Sequence, residues 1–253
     1  MDESLVAIIL AAGKGTRMNS DLPKVAHEAA GRPMVEWVAR ACAEAGCARI
    51  LVVVGHGQGL IREILAGVTG VEFVEQREQL GTGHAVQQCR PALDGFTGDV
   101  IVLAGDGPLV RGGSLRRLVE RHRAAGASAT LATAEIDDPS GYGRILRDNA
   151  GAFLGVVEEK NATDAQRAIR EVNPSVYCFN APSLFDALAR VERNPVSGEF
   201  YLTDAPALIA RAGGAIDAAR SLAPDEALSV NTPEQLARVD AILRARLERA
   251  GAA

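Results

Sequence analysis

From Leu10 to Met18 the chain reads LAAGKGTRM, directly after the apolar run Leu5 to Ile9. Glycines at 13 and 15 permit close backbone approach, and successive free amides in such a turn can form a nest for an anion. Lys14 and Arg17 add positive charge. The spacing fits neither the P-loop pattern nor the dinucleotide fingerprint, which would need glycine where Met18 stands. Alone, the stretch could be no more than a glycine turn. A second lysine follows in Leu22-Pro23-Lys24-Val25, where Pro23 stiffens the loop and Lys24 offers a point charge for a phosphate oxygen. Gln76, followed by Leu80-Gly81-Thr82-Gly83-His84-Ala85, brings an amide side chain and further backbone donors to a helix entrance. Asp106 lies in Ala104-Gly105-Asp106-Gly107-Pro108-Leu109. A carboxylate there suits Mg²⁺, which takes few carboxylates and completes its shell with phosphate oxygens and water; the plainer role is an Asp that caps the turn.

The elements that must position these residues are legible from periodicity. Apolar runs rich in β-branched residues predict strands over Leu5 to Leu10, Ile50 to Val54, Val71 to Glu75, Asp99 to Ala104 and Ala129 to Ala134. Helices are predicted over Val35 to Ala45, near His84 to Cys89 and over Leu115 to Ala125. That alternation indicates a parallel sheet covered on both faces. After about residue 137 the connections shorten, and Gly143 to Arg147, Phe153 to Val157 and Val172 to Phe179 read as strands of a mixed sheet that caps the cleft. Helices follow near Ser183 to Arg193, Asp204 to Ala212 and Pro233 to Arg249, the arginines of the last forming a solvated face. In open parallel sheets ligands lie beyond the carboxyl ends of the strands, and the candidate residues cluster there.

The chain has 253 residues, 47% of them hydrophobic, enough for one large α/β domain. Its net charge of −5 comes from 27 basic and 32 acidic residues mixed along the chain, so no basic face predicts nucleic acid or an anionic membrane. Cys42, Cys47, Cys89 and Cys178 lack Cys-x-x-Cys spacing, and His27, His56, His84 and His122 are scattered, which predicts buried reduced thiols and no zinc site. With no signal-peptide pattern and no apolar run long enough for a bilayer, the expectation is a cytoplasmic protein.

The ordered set of motifs resembles the sugar-1-phosphate nucleotidyltransferases, and among them the N-acetylglucosamine-1-phosphate uridylyltransferase half of the bifunctional bacterial enzyme. It comprises LAAGKGTRM, LPKV from Leu22, EQLGTGHA from Glu78, GDGPL from Gly105 and GYGRI from Gly141. VEEKNA from Val157, EVN from Glu171, GEFYLTD from Gly198 and VNTPEQLA from Val230 continue it, so it covers essentially the whole chain. The resemblance implies a Rossmann-like α/β nucleotidyltransferase fold, three-layered around a central, mostly parallel mixed sheet. It further implies a single domain over 1–253, with a nucleotide-binding half over about 1–137, a sugar-binding half over about 138–232 and a C-terminal helix over 233–253.

Carried over residue by residue, the backbone of Leu10, Ala11, Ala12 and Gly13 would hold the nucleotide, with Arg17 and Lys24 facing the triphosphate. Gln76, Gly81 and Thr82 would hold uracil, and Ala104 and Gly105 would line the site. Asp106 and Asn231 would bind Mg²⁺, and Gly143, Glu158 and Asn173 would contact the sugar, with Tyr142 and Lys160 as neighbours. The implied substrates are UTP and N-acetylglucosamine 1-phosphate. The implied reaction is in-line attack of the sugar phosphate on the α-phosphorus, with Arg17, Lys24 and Asp106 as the catalytic set and pyrophosphate leaving. Gln76 alone does not select the base, because a flipped amide suits cytosine as well. The same motifs would serve another sugar or nucleotide; a non-catalytic nucleotide-sugar sensor would be expected to lack the charges at 17, 24 and 106.

Three positions depart from the family pattern. Asn173-Pro174-Ser175 lacks the usual glycine two places after the sugar-binding Asn, Ser229 stands where glycine often precedes Val-Asn, and Asn161 replaces a common aspartate. The bifunctional enzyme continues into a hexapeptide-repeat β-helix that acetylates glucosamine 1-phosphate and drives trimer formation. This sequence stops after the final helix, so neither that activity nor that trimerisation domain is expected.

Overall fold

The computed structural model describes residues 2–251. The first strand, β1 (Asp2–Ala11), forms where apolar residues run without interruption and both faces are covered. Leu5, Ala7, Ile9 and Ala11 enter one core layer, while Val6, Ile8 and Ala12 enter the other. The chain then makes a two-strand hairpin, β2 (Glu28–Ala29) with β3 (Arg32–Pro33), and enters helix α1 (Met34–Ala45). Two strand–helix units follow as β4 (Cys47–Val54), α2 (Gln58–Leu65), β5 (Val71–Glu75) and the short α3 (Thr82–Gln87). Strand β6 (Asp99–Ala104) leads through α4 (Gly112–Ala124) to β7 (Ala129–Glu135).

The later part supplies the hairpin β8 (Gly143–Arg147) and β9 (Phe153–Val157), then α5 (Asp164–Arg167) and the long β10 (Glu171–Asn180). It closes with α6 (Ala181–Leu188), α7 (Ala205–Arg211), β11 (Ile216–Ala219) and α8 (Pro233–Gly251). Among the described residues nine strands form one sheet, in which the order β11-β7-β10-β6-β1-β4-β5 carries the β8–β9 hairpin off β10. Pairings β1–β4, β4–β5, β1–β6 and β7–β11 are parallel, whereas β10 runs antiparallel to both β6 and β7. This is the mostly parallel mixed sheet of a Rossmann-like, three-layer α/β fold, as the sequence predicts.

Helices α1, α2 and α4 cover one face through Val35, Val38, Cys42, Ile61, Leu65, Leu115 and Leu118. On the other face, α3, α6 and α7 pack through Val86, Leu184, Phe185, Leu188 and Ile209. A third, smaller cluster joins Val239 and Leu243 of α8 to Met18, Met34, Leu109 and Val230. All four cysteines are buried and free. No helix among the described residues is long and apolar enough to cross a membrane.

The elements that periodicity does not predict are short. Helix α2 lies between glycines and spans only eight residues, α5 is a single turn set by a Thr163–Gln166 capping box, and β11 is alanine-rich. The helix expected near Ser183 to Arg193 starts and ends earlier: Asn180 caps it by accepting from the Ser183 amide at 3.3 Å, and it stops at Leu188.

Candidate active site

Because β4 and β5 lie on one side of β1 and β6 on the other, the chain reverses direction of winding between β1 and β6. Such a switch point leaves a crevice at the carboxyl ends of the strands. Leu10 and Ala104 are register partners at that edge, and the Gly105 amide donates to the Leu10 carbonyl at 2.9 Å.

Two cavities open there. One, about 300 Å³, is lined by Leu10 to Gly13, Lys24, Gln76, Gly81, Thr82, Ala104 and Asp106. The other, about 320 Å³, is lined by Arg17, Ala104, Asp106, Tyr142, Gly143, Glu158, Asn173 and Asn231. Ala104 and Asp106 line both, so the two spaces adjoin at these residues. Gly105 lies behind this junction, whereas Lys14 and Lys160 are exposed and line neither cavity.

Charge concentrates at the junction. Lys24 Nζ donates to Asp106 Oδ2 and, at 3.0 Å, to Asn231 Oδ1; Arg17 also donates to Asn231 Oδ1, at 2.9 Å. The Lys24 and Asp106 side chains are only 18% and 13% exposed, so water screens this pair weakly. Local structure explains how each is aimed. Arg17 sits on a single 3-10 turn, Thr16–Met18, entered through Gly15 at φ +70°. A Cβ on Gly15 would lie 2.4 Å from Lys24 Cβ, so only glycine lets the Lys24 loop fold over this turn. Asn231 precedes α8, where Thr232 Oγ1 accepts from the Gln235 amide at 3.3 Å and Gln235 Oε1 accepts from the Asn231 amide at 2.7 Å. The Val230 amide donates to the Asp106 carbonyl at 2.9 Å, fastening that segment beside the carboxylate.

Two hard oxygens, one carboxylate and one amide carbonyl, thus converge on a single cation, the Lys24 ammonium. That donor set fits Mg²⁺, which needs few protein ligands when phosphate and water complete its shell. Among the described residues no group of three His, Cys, Asp or Glu side chains could hold a metal by itself.

The second cavity owes its residues to the direction of β10. Since β10 runs opposite to β6, its first residues lie at the edge where β6 delivers Asp106. Gly143 of β8 is the register partner of Asn173 of β10. Asn173 Nδ2 donates to the Tyr177 hydroxyl at 2.8 Å, and its Oδ1 accepts from the Ser175 amide at 3.2 Å, leaving the second Nδ2 hydrogen for a ligand. Burial pushes the Tyr177 hydroxyl up to about 12, against the opposing bonds to Asn173 and Ser175, so it stays protonated. Tyr142 faces the same cavity while its hydroxyl donates to the Ala227 carbonyl at 3.1 Å.

Pro174 and Ser175 lie where the β10–β7 register slips, between Val172 and Val176. A bulge accepts proline, which has no amide to pair. Ser175 takes φ +60°, the left-handed conformation glycine would adopt without strain, and it lines the second cavity.

The structure adds residues that sequence reading does not single out. Gln79 and Glu199 line the first cavity, and Ser140 and Gln235 the second. Gln235 alone had a local signal, the Thr-x-x-Gln box at the entrance of α8. His84 contacts Gln76 from behind, its Nδ1 3.0 Å from Gln76 Nε2.

A switch-point cleft lined by backbone turns, with two cations and the Asp106 carboxylate at its junction, places the chain among α/β nucleotide-handling proteins. Residues 7–200 match the MobA-like NTP transferase domain; the chain belongs to that family and is a nucleotidyltransferase. It is 48% identical over 243 residues to the bifunctional protein GlmU of Pelotomaculum thermopropionicum, covering 96% of this chain and 53% of that protein. Identity is 47% over 247 residues to bifunctional protein GlmU of Pelobacter propionicus, covering 98% and 54%. For the protein of the same name in Geobacter metallireducens it is 48% over 245 residues, covering 97% and 52%. The chain spans about half the length of the curated relatives it matches.

Proposed function

We propose that the chain is a Mg²⁺-dependent uridylyltransferase that converts UTP and N-acetylglucosamine 1-phosphate to UDP-N-acetylglucosamine and pyrophosphate. The observation that carries the reading is the meeting of two cavities at Asp106, with Lys24, Arg17 and Asn231 converging on the same point. Two polyanions must approach in this reaction, and their repulsion is the first barrier. Lys24 and Arg17 lower it by taking up charge on the leaving pyrophosphate, in a setting already organised before substrate arrives. The backbone of Leu10 to Gly13 and the Gln76, Gly81 and Thr82 surface orient the nucleotide in the first cavity. Glu158 accepts from sugar hydroxyls, and Asn173 donates in the second, so that the sugar phosphate lies in line with the α-phosphorus.

Asp106 and Asn231 would hold Mg²⁺, which when bound would supply positive charge against the crowded phosphates. Asn231 is neutral and so adds no negative charge to a crowded site. The attacking phosphate is already ionised near neutral pH, and the chain needs neither a nucleophile nor a general base. The reading further divides the domain into a nucleotide-binding half before about residue 137 and a sugar-binding half after it.

Pyrophosphate release from a panel of nucleoside triphosphates and sugar 1-phosphates tests the proposal. Turnover is expected with UTP and N-acetylglucosamine 1-phosphate, and loss on chelation of divalent metal. Turnover confined to glucose 1-phosphate or to dTTP would reject the substrate assignment, and binding of UDP-N-acetylglucosamine without turnover would mark a sensor.

A further inference from the structure

Gln76 is 3% exposed, and its side-chain bonds all fall on one atom. Its Nε2 lies 3.1 Å from the Gly81 carbonyl oxygen and 3.0 Å from His84 Nδ1. The oxygen and nitrogen of an amide are distinguished by the bonds each can make, and here the Gly81 carbonyl decides, because it can only accept. A flipped Gln76 would press Oε1 against that carbonyl. The Gly81 carbonyl is held in place: it accepts from the Ala85 amide at 3.1 Å, and on either side the Leu80 carbonyl and the Gly83 amide bond the Phe200 backbone at 2.8 Å. Nε2 therefore points inward, and Oε1, which has no protein partner among the described residues, is the atom left for a ligand in the cavity that Gln76 lines.

His84 extends the constraint. To accept from Gln76, Nδ1 must carry a lone pair, so the ring proton resides on Nε2. Gln88 Nε2 lies 3.1 Å from that same His84 Nε2 and 3.3 Å from the His84 carbonyl. A neutral imidazole cannot accept at both nitrogens. Gln76 makes the shorter contacts and is 3% exposed, so the amide that yields is the half-buried Gln88. It turns its Oε1 to the His84 Nε2 proton and gives up a carbonyl already bonded within the helix by the Gln88 amide. The ring is backed by Phe200, with centroids 6.5 Å apart.

We infer that His84 is a positioning residue that fixes the Gln76 amide and thereby makes the base pocket select uracil over cytosine. This deepens the reading in which the base binds beside Gln76 and rests on it. An exposed Oε1 accepts the N3–H of uracil. Cytosine presents a lone pair at N3 and would set acceptor against acceptor. With the His84 acceptor present, flipping Gln76 forfeits two bonds; without it, only one.

The test measures UTP and CTP binding to the whole chain by titration calorimetry, which reads the base pocket whether or not the chain turns over. Pyrophosphate release is measured in parallel and reads the proposed reaction separately. The wild-type protein is expected to bind UTP at least tenfold tighter than CTP. His84→Leu, which keeps the volume but removes both ring nitrogens, should reduce that ratio by about tenfold, the worth of one buried hydrogen bond. His84→Asn, whose Oδ1 can stand where Nδ1 stands, should restore most of it. In turnover, the loss should appear in the KM for UTP with the KM for the sugar phosphate unchanged. Equal binding of UTP and CTP by the wild type, full discrimination in a folded His84→Leu, or no recovery in His84→Asn would each overturn the inference. Discrimination without pyrophosphate release would instead reject the reaction while leaving the base pocket as inferred.

Discussion

Asn231 Oδ1 accepts from Arg17 and Lys24 at once, and Lys24 also reaches Asp106, so one carboxylate and one amide share two cations. Because the Lys24–Asp106 pair is largely shielded, its charges act on a ligand with little screening. Asp106→Asn keeps the shape and removes the charge. We expect kcat to fall by about 10²-fold or more, as for groups that act on transition-state charge, with the fold intact by circular dichroism. Turnover at the wild-type rate would remove Asp106 from the reacting site. Asn231→Asp makes the opposite trade. A second carboxylate gives both cations a full partner, so the free protein should gain up to about 1 kcal/mol in chemical denaturation, while added negative charge beside the phosphates slows pyrophosphate release about tenfold. Faster release in that variant would contradict the role given to a neutral side chain here. Arg17 and Asp106 were readable in sequence because each follows a predicted strand, and Lys24 from its proline-stiffened loop, whereas Asn231 follows no predicted strand and was indicated only by the resemblance. The sharing of one oxygen was not readable, since Arg17 and Lys24 stand 214 and 207 positions from Asn231.

At the scale of elements, the decisive feature is β10, which brings the second cavity to the first. Its start is anchored by Glu171, whose carboxylate is 5% exposed and accepts from Arg147 of β8 at 2.6 and 2.8 Å, from Thr133 of β7 at 2.6 Å and from Arg220 at 3.1 Å. Burial pushes the Glu171 carboxyl up, but the bonds from Arg147, Thr133 and Arg220 outweigh it and hold it at about 2, below its ordinary 4.5. A carboxyl depressed on folding stabilises the fold fully above its unfolded value and loses that contribution as pH falls through the folded one. Between pH 4.5 and 2 the protein should therefore lose on the order of 3 kcal/mol through this group. Glu171→Gln should flatten that part of the pH dependence in urea titrations, while lowering stability at pH 7 by leaving Arg147 short of a charged partner. A variant with the wild-type pH slope would remove Glu171 as its source. Periodicity predicted β7, β8 and β10 as strands. It could not give the direction of β10, because antiparallel insertion between β6 and β7 depends on partners distant in sequence.

For the molecule as a whole, α8 returns from the far end of the chain to lie under the site. Val239 and Leu243 pack with Met18, Leu109 and Val230. Met18 follows Arg17, Val230 precedes Asn231, and Leu109 closes the turn that begins at Asp106. One small apolar cluster thus ties three site segments together. Leu243 is 4% exposed, and Leu243→Ala should cost about 2–5 kcal/mol through lost burial and the cavity left behind. In thermal melts this corresponds to roughly 5–15 °C for a domain of this size. Below the melt, KM for the triphosphate should rise as well, because the Arg17 turn and the Asn231 segment lose their common support. A lower melting temperature with unchanged KM would show that α8 stabilises the fold without positioning the site.

The sequence by itself determined the alternation of strands and helices, the two-faced burial of β1 and the clustering of polar candidates at strand ends. Those features are local: periods of 2 and 3.6 and the conformations open to Gly, Pro and Asn are set within a few residues. Tertiary structure alone decided that β11 pairs with β7, that β10 runs against its neighbours, and that Asp106 stands where two cavities meet. It also set the orientation of the Gln76 amide through Gly81 and His84. Each of these depends on closing a long loop or on a hydrogen bond between groups with two possible roles, and neither leaves a periodic trace in the chain.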